Sequence, residues 1–228
     1  MNKVLRYLFL SCISIIVLYS CKHETESPVD VGYGYYPSVI GHWIIYDVDS
    51  TNYDEFLDTV KNYKFQLKEI IESTYSDNQN RPTQRLERYT RLNDTINWYL
   101  SDVWASNLTA STAEKVEENI RFIKLIFPIK SGRTWNGNAL NNIGSQDYEY
   151  DNVFEPYTVN GVTFDSTVTV IQNIEGPNYV FEKYMIEVFA KNVGLIYKKY
   201  KDVTFDPAHA GVIKSGVDYT YKIKSFGN

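Results

Sequence analysis

The chain has 228 residues, with 23 Lys and Arg against 28 Asp and Glu, a formal net charge of −5. An acidic chain without a basic cluster is a poor partner for nucleic acid, whose phosphates require clustered Lys and Arg. Two cysteines and three histidines rule out a disulfide framework and leave little for a zinc site.

Lys3 and Arg6 open the chain, and an apolar run from Tyr7 to Val17 follows. That run is shorter than the roughly 20 residues a membrane-spanning helix needs, and a charged start before a short apolar core describes a secretory signal. Leu18, Ser20 and Cys21 resemble the lipobox of bacterial lipoproteins. Cys12 also follows a serine, but a cut there would leave too little apolar core. The resemblance implies removal of residues 1–20, a diacylglyceryl group on the Cys21 sulfur, and an acyl chain such as palmitate on the new amino end. Two or three acyl chains bury many methylenes at about 0.8 kcal/mol each, so the anchor is effectively permanent. Losing Lys3 and Arg6 leaves 21 basic residues against 28 acidic, or −7, and Cys21 as the one remaining cysteine.

Lys22 to Tyr36 carries Glu24, Glu26, Pro28, Asp30, Gly32 and Gly34 with no apolar period. This composition predicts a flexible tether over 21–36 and a single β-rich domain over 37–228. Lys22 stands where enterobacterial lipoproteins kept in the inner membrane carry an aspartate. The expected site is therefore the outer membrane, with its periplasmic and outer faces both open. Glu24 and Glu26 are similar to the acidic stretch behind the anchor of Bacteroidetes surface lipoproteins.

From Val39 onward the chain reads as strands. Val39–Asp49 comes first, and Tyr63–Tyr75 alternates Tyr63, Phe65 and Leu67 against Lys64, Gln66 and Lys68. Thr83–Leu92 and Thr95–Ala105 flank Asn93-Asp94, and Glu117–Ile129 runs to Pro128. A loop around Asn136-Gly137 and Asn141-Asn142 follows. Tyr148–Tyr157 and Val162–Ile174 form a hairpin around Asn160-Gly161. The spacing of Phe181, Tyr184, Met185, Val188 and Phe189 predicts a helix over 179–192, with a strand as the alternative. Gly194–Val203 and Val217–Phe226 close the chain. About nine strands joined by short turns predict an all-β, mainly antiparallel fold: a curved sheet, half-barrel or lipocalin-like barrel.

The stretch Tyr36-Pro37-Ser38-Val39-Ile40-Gly41-His42-Trp43 resembles the opening of a family of Bacteroidetes lipoproteins. So do Glu118-Asn119 with Lys124-Leu125-Ile126-Phe127-Pro128, then Trp135-Asn136-Gly137-Asn138, and the closing Ala190-Lys191-Asn192-Val193-Gly194-Leu195-Ile196-Tyr197-Lys198. The family brings no activity with it. Gly41-x-Trp43 is also similar to the first-strand motif of lipocalins, and a curved sheet resembles the carriers that ferry lipoproteins to the outer membrane. Both are likenesses of fold type, a weak warrant for function.

Chemistry-bearing motifs are few. His42 and His209 sit in no G-x-S-x-G setting, and no P-loop or G-x-G-x-x-G is present. No catalytic residue, cofactor or metal is expected. Asp147, Glu149 and Asp151 alternate with Tyr148 and Tyr150, which predicts a solvated acidic face behind a packed tyrosine face. Asp102 shares a face with Trp98 and Trp104, and Glu118 with Val116, Ile120 and Phe122. Charges on apolar faces need partners or a wet cavity; Arg85, Arg88 and Arg91 are the candidate partners. Trp98, Trp104, Asp102 and Glu118 are therefore the candidate ligand-binding residues. Three roles stay open: non-catalytic binding of a small apolar or glycan ligand, an accessory subunit with envelope protein partners, and a glycan hydrolase.

Overall fold

Alternating polar and apolar residues, with tight turns between the runs, fold the chain into one antiparallel sheet of twelve strands. A computed structural model describes residues 30–228; residues 1–20, Cys21 and the expected tether up to residue 29 lie outside the described residues. The first six strands are β1 (Trp43–Asp54), β2 (Thr59–Ser76), β3 (Pro82–Arg91), β4 (Tyr99–Leu108), β5 (Thr112–Glu117) and β6 (Ile120–Ile126). The second six are β7 (Thr134–Asn136), β8 (Asp147–Val159), β9 (Val162–Glu175), β10 (Phe181–Ala190), β11 (Gly194–Phe205) and β12 (Ile213–Gly227).

Each set of six is a meander, and β1 pairs with β12 to join them. This leaves β6 and β7, consecutive in the chain, at the two edges of the sheet. The edges meet in a nearly closed barrel. Ile123 N–H donates to the Gly137 carbonyl at 2.9 Å, and the Trp135 indole N–H donates to the Ile123 carbonyl at 3.0 Å. The Tyr150 hydroxyl donates to the Ile126 carbonyl and accepts from the Ile126 N–H, both at 2.8 Å. Pairing its edges in this way removes the exposed strand that would otherwise template aggregation.

One apolar cluster lies at the seam, with Tyr35, Leu125, Phe127, Trp135, Tyr150, Val168 and Phe189 among its members. A second gathers Ile44, Tyr46, Val48, Leu67, Val188, Ile196 and Ile223. The β8–β9 hairpin breaks register near Glu155 and folds back over β11 and β12. Its tip Asn160 donates to the Ile223 carbonyl at 2.9 Å, and Tyr157 meets Tyr197 at 5.7 Å between ring centroids. Asn160 and Gly161 take φ values of 50° and 77°, as a type I′ hairpin turn requires.

Three expectations need correcting. The span predicted as a helix holds strand β10, Phe181–Ala190, the alternative reading. Ile186 through Ala190 are all buried, because the cavity side is inside the barrel and the hairpin covers the other face. A strand covered on both sides loses its alternation and mimics helical spacing. Strands number twelve among the described residues rather than about nine, since β5 and β7 were not anticipated and β10 was placed first as a helix. Glu118 and Asn119, at φ 49° and 64°, make a two-residue turn inside what reads as one strand. Glu118 therefore does not share a strand face with Val116 and Ile120. The compact unit among the described residues starts at Val31. Tyr33–Tyr35 form a 3-10 turn, Tyr35 is buried, and its hydroxyl bonds the Ser166 hydroxyl at 2.6 Å.

Candidate functional site: a charged cavity inside the barrel

Residues directly opposite each other on paired strands point the same way, so register decides which side chains meet. Glu69 on β2 stands opposite Arg88 on β3, and Arg88 opposite Asp102 on β4. On the other meander Glu187 of β10 stands opposite Lys198 of β11, and Lys198 opposite Tyr221 of β12. Glu69, Arg88, Glu187, Lys198 and Tyr221 line a cavity of about 340 Å³ inside the barrel, within the usual range for small-molecule sites.

The charges form two linked groups. Glu69 accepts from Arg88 at 3.0 Å and from Lys115 at 2.8 Å, and Arg88 reaches Asp102 at 3.3 Å. Across the cavity Lys124 of β6 donates to Glu187 at 2.6 Å and to Glu117 at 3.4 Å. Lys198 lies 3.1 Å from the same Oε1 of Glu187. The other oxygen, Glu187 Oε2, is buried without a hydrogen-bond partner among the described residues.

Burial opposes ionisation of each carboxyl, and the cations outweigh it. Lys124 and Lys198 hold Glu117 and Glu187 below the ordinary carboxylate range, and Lys115 with Arg88 does the same for Glu69. Burial likewise disfavours the charged lysines, but Glu117 and Glu187 push Lys124 and Lys198 above the ordinary lysine range. Burial raises the Tyr219 hydroxyl to about 12.

These shifts set a pH window for stability. Depressed carboxylates contribute stability above their unfolded value of about 4.3, and it is lost as pH falls through the lower folded values. Raised lysines contribute below their unfolded value of about 10.4, and that part is lost as pH climbs through the higher folded values. Urea midpoints are therefore expected to be flat from about pH 6 to 9 and to fall on both sides of that window. A midpoint at pH 3 equal to that at pH 7 would show that the buried pairs contribute nothing.

The structure separates the four candidate ligand-binding residues. Trp104 and Glu118 line the cavity, and the Trp104 indole donates to Glu118 at 3.1 Å. Arg88 lies 3.5 Å from the centre of the Trp104 ring and Lys115 5.0 Å from it, so the ring is already occupied by cations. Asp102 sits beside the cavity on Arg88, one of the three arginines proposed as partners. Trp98 precedes β4 and packs on Arg91 at 4.2 Å, away from the cavity. Asp147, Glu149 and Asp151 are exposed while Tyr148 and Tyr150 are buried.

Glu69, Lys115, Glu117, Lys124, Glu187 and Lys198 were missed. Their signal was present in part: Glu69 continues the inward series Phe65 and Leu67, and Lys198 lies between Ile196 and Tyr200. Reading β10 as a helix hid Glu187. His42 is buried and structural, its Nε2 2.9 Å from the Val193 carbonyl and its Nδ1 2.7 Å from the Asn228 side chain.

Fold and site together define a class, an antiparallel, nearly closed β-barrel enclosing a charge-paired cavity. No family profile and no curated protein matches the chain. Among solved structures, an exported-protein candidate with a YmcC-like fold from Bacteroides fragilis gives a TM-score of 0.42 at 10% identity, covering 85% of this chain and 98% of that one. A lipoprotein candidate from Parabacteroides distasonis gives 0.41 at 8% identity with the same coverage. Neither likeness carries an argument about what this chain does.

Proposed function

We propose that the protein is a lipid-anchored component of the cell envelope, held at the outer membrane through Cys21, whose barrel binds a small ligand without transforming it. The observation that carries the binding half is the cavity lined by Glu187, whose buried Oε2 has no hydrogen-bond partner among the described residues. A barrel built for stability alone gains more from apolar packing than from buried ion pairs, which are often replaced at no cost by hydrophobic residues. The glycan hydrolase reading ranks last: a general acid needs a raised pKa, whereas three of the four carboxyls lining the cavity, Glu69, Glu117 and Glu187, are held low by the cations beside them.

A second reading, an accessory subunit of an envelope complex, draws on the hairpin tips. Phe56 is 94% and Tyr179 89% exposed, and Lys214 to Glu55 at 2.7 Å ties the β1–β2 and β11–β12 ends together. Native mass spectrometry of the protein extracted from its own membranes separates the two. A bound small molecule supports the receptor; a bound protein chain with an empty cavity supports the subunit. The anchor has its own test. Cys21→Ala is expected to move the protein from the membrane pellet to the soluble fraction with its thermal unfolding unchanged. Retention of fully processed Cys21→Ala protein in the pellet would count against lipid anchoring.

A further inference from the structure

We propose that the cavity takes an uncharged polyhydroxyl ligand, a small sugar, one of whose hydroxyls donates a hydrogen bond to Glu187 Oε2. This rests on the ligand-binding reading above and narrows it to a chemical class.

Three observations converge. The first is the carboxylate itself. Glu187 is 1% exposed, and Lys124 and Lys198 both approach its Oε1, while Oε2 faces no donor among the described residues. A buried acceptor left unmade is costly, and a charged one more so. Oε2 is itself closed off from the cavity, so a ligand reaches it when the Glu187 side chain turns inward, and the charge-assisted bond then formed removes that cost.

The second is charge balance. Four carboxylates and four Lys or Arg line the cavity, so an ionic ligand would bring an uncompensated charge into a buried site. A ligand ammonium at Oε2 would also stand close to the two lysines on Oε1. A ligand carboxylate would face Oε2 itself. An apolar ligand would leave Oε2 orphaned and cover the ion pairs with hydrocarbon. A neutral donor avoids all three penalties.

The third is the wall. Tyr46 and Tyr221 lie 5.7 Å apart between centroids, and Tyr221 and Tyr219 5.4 Å apart. All three line the cavity, giving a tyrosine surface that is apolar on its faces and polar at its tips, as the two sides of a sugar ring require. Trp104 serves less well, because Arg88 at 3.5 Å and Lys115 at 5.0 Å crowd its ring, whereas Lys198 stands further from the Tyr219 and Tyr221 rings, at 5.8 and 6.0 Å.

The test uses the full lipidated chain in detergent and saturation-transfer NMR. Its probes are glucose, N-acetylglucosamine and cellobiose, with glucuronate, glucosamine and a short fatty acid for comparison. At least one uncharged sugar is expected to bind, and the charged and apolar probes are not. Glu187→Gln is expected to weaken that binding by about tenfold or more. Because that change also frees two lysines, Glu187→Asp is the second variant: it keeps the charge and draws the oxygen back by one methylene. It is expected to weaken binding with the fold intact. Uncharged sugars that fail to bind, or that bind equally well to both folded variants, overturn the proposal. Binding of glucuronate, glucosamine or the fatty acid in the sugars' place, lost on Glu187 substitution, overturns the sugar class and leaves the receptor reading standing. If no probe binds and the protein from native membranes carries no small molecule, both fall.

Discussion

Replacing Lys124 with methionine is expected to cost about 3 kcal/mol of folding stability, at the lower end of the range for breaking a buried ion pair. The side chain is 6% exposed and serves Glu187 and Glu117 together. Methionine fills much of the volume but leaves two buried carboxylates with one cation fewer. Lys198 still reaches Glu187, which is why the loss falls short of that for an isolated pair. The carboxyl pKa values then move back up, so acid unfolding should begin at a higher pH than in the parent. Adding Glu187→Gln should recover part of the loss, because it removes one of the stranded charges. Chemical denaturation of both single variants and the double variant gives the coupling directly. A loss below about 1 kcal/mol for Lys124→Met, a value typical of exposed pairs, would mean that water relieves the network.

How much of this site could be read from the sequence depends on the range of the interactions. The Tyr148/Tyr150 face and the Asn160-Gly161 hairpin follow from period-two alternation and turn chemistry, which are local, and both appear in the structure as expected. The pairing of Asp102 with Arg88 was also within reach, because the two lie on adjacent strands. The Lys124–Glu187 contact joins residues 63 apart in sequence, on strands that meet only once the barrel curls. Bulges add to the difficulty. The register slips between Ile71 and Ser73, between Arg88 and Tyr89, and between Val188 and Phe189. One residue of slip turns a side chain from one face to the other. That is how Trp98, two residues from Leu100 and apparently in phase with Trp104, ends beside Arg91 instead of in the cavity. The seam was hidden for a different reason: β7 is three residues long, too short to register as a strand within a loop of Asn and Gly.

Trp135→Ala at that seam is expected to cost about 3–5 kcal/mol, the range for truncating a large buried aromatic. Trp135 packs against Tyr150 at 4.5 Å and Tyr148 at 5.8 Å between centroids, so its removal leaves a void in the seam cluster. It also orphans the Ile123 carbonyl that its indole N–H satisfies. Trp135→Phe separates the two contributions. It keeps most of the ring and loses the hydrogen bond, for an expected cost of about 1–3 kcal/mol. The two edges are held by few backbone bonds, so loosening the side-chain contacts should open the barrel locally before it unfolds. Hydrogen exchange reads this at the Ile123 and Ile126 amides, which bond to Gly137 and Tyr150 across the gap. Both should lose protection in Trp135→Ala far more than the β1–β12 amides in the middle of the sheet. An opened β6 edge would then present unpaired backbone to other chains, so the variant should also aggregate at concentrations where the parent stays dispersed. Equal loss of protection at the seam and at β1–β12 would show that the barrel opens only by unfolding as a whole, and that Trp135 acts as core rather than as clasp.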